Sequence, residues 1–555
     1  MCRPQHCALV ALAPVALALG CSGPGDSGGD SAAPDSAAPD STAPDSVVDS
    51  GDTGENDPVV GPGIVVLAGG GSEGDQGDAE SWSARLYGAL MEGGDVTGDG
   101  LVRVVVLSTA AESDWLPSYL EWLGADEAFN LQVASRQDAE APGLGARLAA
   151  VDAAFIKGGD QGEYYDLWND TALELGLRAL VEQRGGGIGG TSAGAMSQAG
   201  FALAGGQDLV ALDVLEDACT PWLDDASDGG SGVHDDFLGF VPGVVIDTHF
   251  TQRGRLGRLA GAMARALDEG APAALLGIGV EQKTGLVIRA GQARVVGVGA
   301  VSFLQATPAS ELVRDCGRPL VFTELRLDRL TEGWVFALDA GLPEQAPVDA
   351  EAVAWAGPGT VNTGEWYAYG DLPEHEDRFG WVVERDPDAY ALRQGADAPL
   401  LVDAVGVLDA HASEARAAGH EALFRALYEQ VGATGFLVAA GSLLERPLDA
   451  PSQVLFADND WIDSEPQAAT IVIASHAVEW RSLSPFPSTY DAGDGGLHAA
   501  GLSGLQVHIL ADSARLRLGY DAESRAVVLR QDGRKSPPPR AGEARAPLAP
   551  RHPAR

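Results

Sequence analysis

The chain has 555 residues, with 36 basic and 80 acidic side chains and a formal net charge of -44 at pH 7. Hydrophobic residues make up 45%, enough for a large core, and the length predicts roughly two to four domains. A body this acidic repels phosphate backbones and anionic headgroups, which excludes nucleic acid as a partner and leaves a membrane reachable only through an anchor.

Residues 1–20 read as a secretory leader, because Arg3 is followed by an apolar run from about Ala8 to Leu19. Leu17-Ala18-Leu19-Gly20-Cys21 is similar to a lipoprotein lipobox, which makes Cys21 the expected lipidation site. The chain is then expected outside the cytoplasm, lipid-anchored at the cell envelope or secreted. Residues 21–58 hold three Ala-Pro-Asp-Ser repeats and no basic residue, the composition of an extended, self-repelling tether. Cys2 and Cys7 fall in the leader, so Cys219 and Cys316 are the cysteines left to the fold, able to pair in an oxidising compartment. No CxxC or HExxH occurs, so neither a metal nor an organic cofactor is expected.

From Ile64 onward, short apolar runs alternate with amphipathic stretches. Ile64–Leu67 ends in Gly69-Gly70-Gly71, and a helix follows from about Ser81 to Met91. Asp95–Gly100 begins like a calcium loop, but its twelfth position is Val106 rather than Glu, so it reads as an acidic turn. Val102–Leu107 precedes a helix near Trp115–Leu123. Ala153–Ile156 ends in Gly158-Gly159-Asp160-Gln161, and Gly187–Gly190 runs into Thr191-Ser192-Ala193-Gly194. This alternation predicts an α/β fold: a mainly parallel, doubly wound sheet with helices on both faces, and a site at the carboxyl ends of its strands.

Gly190-Thr191-Ser192-Ala193-Gly194 fits G-x-S-x-G, a sharp strand-to-helix turn that forces Ser192 outward at a helix N-terminus. Val244–Phe250 delivers His249 at the end of a strand, where an imidazole can take the serine proton. Arg253, Arg255 and Arg258 follow within six residues, a clustering that suits carboxylate recognition.

These segments together resemble the cyanophycinases, serine peptidases of the aspartyl-dipeptidase group (family S51). The resemblance rests on Gly158–Gln161, Gly189–Ala195, Asp247–Leu259 and Gly277–Leu286, and spans about residues 63–345. It implies Ser192 as nucleophile and His249 as base, with an oxyanion hole from the N–H groups of Gly159 and Ala193. Asp160, Gln161, Asp247, Thr248, Arg253, Arg255 and Arg258 would line the substrate site. The implied reaction is hydrolysis of cyanophycin-like or isoaspartyl peptides through an acyl-enzyme. A homodimer is left open.

Two positions depart from the family pattern. Where the family has Asp-Glu, its Glu orienting the base, this chain has Glu281-Gln282, which puts Gln282 in the orienting place. Strand neighbours point to opposite faces, so Glu281 substitutes only through a slip or bulge. Thr248 stands where the family usually has Gln. An attenuated or inactive surface binding protein, and an aspartyl esterase or amidase, are the alternatives.

The domain organisation read from the chain is a leader (1–20), a tether (21–58), a cyanophycinase-like domain (59–345), a C-terminal domain (346–533) and a basic, Pro-rich disordered tail (534–555). Within 346–533, Val405–His411 and the Ala-rich stretch to Tyr428 look like a faded copy of Val244–Arg265, and Leu505–Leu510 echoes Leu325–Leu330. A degenerate repeat and a coincidence of Ala-rich sequence both remain open. The segment lacks the serine turn, so its expected role is structural or in substrate engagement.

Overall fold

A computed structural model describes residues 63–110, 113–205, 209–224 and 232–353, with shorter stretches between 391 and 531. The leader, Cys21, the tether, His411 and the tail lie outside the described residues.

Five parallel strands build the part of the first sheet that carries the site: β1 (Ile64–Ala68), β2 (Arg103–Ser108), β3 (Glu127–Gln132), β4 (Ala153–Ile156) and β5 (Gly187–Thr191). Their order is β3-β2-β4-β5-β1, and beyond β1 the sheet continues with antiparallel strands, beginning with Thr284–Arg289 and Gln292–Gly297. The sheet is therefore mixed, with its parallel character confined to β1–β5. Helices cover both faces, as strands that are apolar and buried at every position require. Ile64, Val66 and Ala68 pack with Trp82, Leu86 and Tyr119, while Val65 and Leu67 face the core of Leu148, Tyr164 and Leu177. At the Asp95 turn the carboxylate accepts from the backbone N–H of Gly98 and Gly100, each at 2.6 Å.

The second sheet carries the base. Val244–Thr248 pairs in parallel with Leu276–Val280, and antiparallel pairings then run through Ala300–Val313 to Val321–Thr331. Pairing does not stop at the boundary expected at 345/346. Val321–Thr331 joins His498–Leu510 antiparallel, and Thr470–Ala474 and Thr434–Ala439 follow, the last parallel to Ala398–Leu408. Among the described residues both segments thus share one sheet. From Val244–Thr248 on one side and Ala398–Leu408 on the other, the pairings toward the central seam run parallel, antiparallel, antiparallel, and Ala391–Gln394 adds one further antiparallel strand beyond Ala398–Leu408. Cys219 and Cys316 form a disulfide with a sequence separation of 97. No helix of the described residues is long and apolar enough to cross a membrane.

Candidate active site

Ser192 follows β5 and opens a one-turn helix, Ala193–Met196, with φ of 53° and ψ of -120°. A left-handed φ at a non-glycine residue is strained, and here it turns the hydroxyl off the end of the sheet. The turn is possible because its neighbours are small: a Cβ on Gly194 would lie 2.2 Å from the Ile156 carbonyl oxygen. Ser192 N–H donates to the Ala68 carbonyl at 2.9 Å, anchoring the elbow to β1. Gly158 and Gly159 follow β4, next to β5, and Tyr164 Oη ties that turn down by donating to the Lys157 carbonyl at 2.9 Å. Gly159 and Ala193 thus flank the serine at neighbouring strand ends.

His249 arrives from the second sheet, just past Val244–Thr248. Its Nε2 lies 2.8 Å from Ser192 Oγ. On the other side, Nδ1 is 2.8 Å from Nε2 of Gln282, in the turn after Leu276–Val280. The three side chains form one line across the junction of the two sheets. Gly70 makes room for the ring, since a Cβ there would sit 2.4 Å from His249 Cε1. Gln282 faces the histidine without any slip. Glu281 points the opposite way and is fully buried, accepting from Thr251 Oγ1 at 2.6 Å and from Ala300 N–H at 2.9 Å, and pairing with Arg329.

The electrostatics favour a neutral base. Burial first, and then the guanidiniums of Arg253, Arg255 and Arg258, push the His249 imidazole down to about 2. The lone pair is therefore present at every ordinary pH, but among the described residues the imidazolium that must form as serine attacks has no carboxylate hydrogen-bonded to it. The Gln282 amide can serve the ring in two ways. Its oxygen facing Nδ1–H leaves Nε2 free to accept the serine proton. Its nitrogen facing Nδ1 would select the opposite tautomer.

The residues expected to line the substrate site separate into two groups. Asp247 and Thr248 are 0% exposed and Arg258 1%, so these three lie behind the site rather than on its surface. The reason is charge compensation. A buried carboxylate needs partners, and Asp247 takes Arg258 Nε at 2.8 Å, Arg258 Nη2, and Arg255 Nη1 at 3.2 Å. Arg258 also donates to the Leu209 carbonyl at 3.0 Å. Gln161 is buried too, its amide donating to the Gly205 carbonyl at 2.8 Å, and Asp160 caps its helix by accepting from Gly162 N–H at 2.9 Å. Arg253 is the exposed member of the arginine trio. Sequence reasoning missed Gln252, whose side-chain oxygen accepts from Gln282 N–H at 3.0 Å and steadies the turn that presents the amide. It also missed Arg329, which lies 80 positions beyond His249 and carries no local motif. One grouping of metal-ligand reach occurs among the described residues, Cys219, Asp224 and Cys316, but its two sulfurs are bonded to each other.

No family model matches the chain. The cyanophycinase of Synechococcus elongatus is 32% identical over 215 residues, 38% of this chain and 60% of that protein. The cyanophycinase of Trichormus variabilis is 32% identical over 224 residues, 39% of this chain and 67% of that protein. The chain belongs to the cyanophycinase family of peptidases. It spans about 60% of the length of the first of these relatives, while its own C-terminal strands extend the cyanophycinase-like part into a longer sheet. A solved peptidase from an acI-B1 Actinobacterium is similar at 22% identity and a TM-score of 0.34, covering 50% of this chain and 97% of that one.

Proposed function

We propose that this chain is an extracytoplasmic serine-type exopeptidase that hydrolyses β-aspartyl or Asp-containing peptides, such as cyanophycin, through an acyl-enzyme. The observation that carries the reading is the hydrogen-bonded line Ser192–His249–Gln282, with Ser192 on a strained elbow. Ser192 Oγ attacks the scissile carbonyl carbon as its proton passes to His249 Nε2, and the N–H groups of Gly159 and Ala193 hold the oxyanion. His249 then protonates the leaving amine. Water, deprotonated by the same ring, releases the acid and restores Ser192. Arg253, exposed beside the base, is the guanidinium that receives a substrate carboxylate. The leader-like start, Cys21 and the acidic tether support export with a lipid anchor, and the Cys219–Cys316 bond supports an oxidising compartment.

A second reading, an attenuated enzyme or a peptide-binding protein, is favoured by one observation: the group beside Nδ1 is the neutral Gln282 amide rather than a carboxylate. The deciding experiment measures β-Asp-Arg release from cyanophycin by the full chain beside Ser192→Ala. Turnover abolished by Ser192→Ala supports the peptidase. No release, together with β-Asp-Arg binding that Arg253→Ala weakens, favours the binder.

A further inference from the structure

The C-terminal strands meet the catalytic half at a point that bears on the base. Arg329, on Val321–Thr331, is 0% exposed, and its Nη2 pairs with Glu281 Oε1. Two further contacts of its guanidinium come from beyond residue 400. Nη1 donates to the Ala500 carbonyl at 2.5 Å, and the guanidinium lies 4.4 Å over the ring of Phe424. Glu281 stands between the two segments that hold the base. Its Oε1 also accepts from Thr251 Oγ1 at 2.6 Å, two residues past His249, and the next residue along is Gln282. Its Oε2 fixes the strand end by accepting from Ala300 N–H at 2.9 Å.

We propose that Arg329 is a positioning residue: held by the C-terminal half, it fixes Glu281, and through Glu281 the relative placing of His249 and Gln282. A guanidinium is a planar fork, so an aromatic face and a carbonyl that orient its plane also decide where Nη2 points. A carboxylate shared between that fork, a hydroxyl and a backbone N–H transmits the orientation, because none of the three can turn without breaking a buried bond. This gives the C-terminal half a role although it lacks the serine turn. The seam has the pattern of an isologous interface: Arg326 pairs with Gln506, Leu327 with Leu505 and Leu325 with Val507, while the pairing types mirror one another on either side. The C-terminal half thus stands where a partner subunit would. The kinetic consequence rests on the peptidase reading above, whereas the geometric one does not.

The test uses the full chain with 15N-labelled histidine. The His249 ring resonances, assigned by their loss in His249→Gln, report its tautomer and hydrogen bonds whether or not a substrate turns over. Phe424→Leu removes the aromatic face and Arg329→Lys removes the fork, and both keep a cation beside Glu281. Arg329→Met removes the charge as well. Each variant is first checked for a cooperative melt. The expected result is that Phe424→Leu and Arg329→Lys shift the His249 resonances. For β-Asp-Arg release, kcat should fall about 10- to 100-fold with KM within about twofold, the scale set by ångström-size misplacement of a catalytic group. Arg329→Met should fall furthest, with Arg329→Lys between it and the parent. Folded Phe424→Leu and Arg329→Lys proteins with the parent's His249 resonances would overturn the proposal. A parent without turnover sinks the peptidase reading and leaves the resonances to decide the positioning.

Discussion

Replacing Gln282 by glutamate tests how far the neutral amide limits the chemistry. The side chain already reaches His249 Nδ1 at 2.8 Å, so Gln282→Glu puts a carboxylate there without moving the backbone. A negative charge about 4 Å from the imidazolium centre is worth about 4 kcal/mol at an effective dielectric near 20, or roughly a thousandfold. The carboxylate also accepts from Nδ1–H alone, which removes the tautomer that cannot take the serine proton. Loss of the orienting carboxylate in other serine triads costs about 10⁴ in rate, an upper bound for the gain. We expect kcat for β-Asp-Arg release to rise about 10³-fold, with KM changed little because the substituted atom faces the base. The assay is steady-state hydrolysis at neutral pH, with Gln282→Glu/Ser192→Ala as the blank. A folded Gln282→Glu protein with kcat within about threefold of the parent would refute the reasoning.

Because His249 titrates at about 2, the parent's rate should show no acid limb near 6.5 and should fall only in strong acid, whereas Gln282→Glu raises that value and brings an acid limb toward neutral pH. The same depression makes the unfolded chain, with its histidine near 6.5, bind more protons than the folded one. Stability from this group is full above pH 6.5 and is lost as pH falls toward 2, so melting curves of His249→Gln should decline less steeply in acid than the parent's. Arg258→Met leaves the buried Asp247 carboxylate paired with Arg255 but without the Arg258 fork, and should cost up to about 3–5 kcal/mol in denaturant unfolding. By contrast, exposed Arg253→Ala should change stability by less than about 0.5 kcal/mol while raising KM. An equal loss in both would erase that division. Reduction of Cys219–Cys316, or Cys219→Ser with Cys316→Ser, should lower stability by about 2–5 kcal/mol, and an unchanged denaturation midpoint would show that the bond constrains nothing.

The local features of this site were legible in the chain because each depends on neighbours in sequence. A strand that ends in Gly-Thr-Ser-Ala-Gly has one compact way to turn into a helix, and that turn strains Ser192. The alternate facing of the side chains of Ile64–Ala68 and the step from Glu281 to Gln282 across the strand end follow from backbone geometry alone. So does the choice of Gln282, since adjacent side chains cannot both face the ring. The arginine cluster was visible as composition but not as function. Spacing shows three guanidiniums close together, and cannot show that Asp247 sits behind them and takes two.

What the tertiary structure decided is everything that required two distant segments to meet. The Ser192–His249 contact bridges two sheets, and burial there, more than any neighbour in sequence, lowers the histidine. Arg329 gains its meaning from Glu281, Phe424 and Ala500, which lie 48 positions before it and 95 and 171 after it. Strands from either side of the boundary expected at 345/346 pair in one sheet for the same reason. Strand pairing is a long-range choice made by open hydrogen-bonding edges, and the edge of Val321–Thr331 is closed by His498–Leu510.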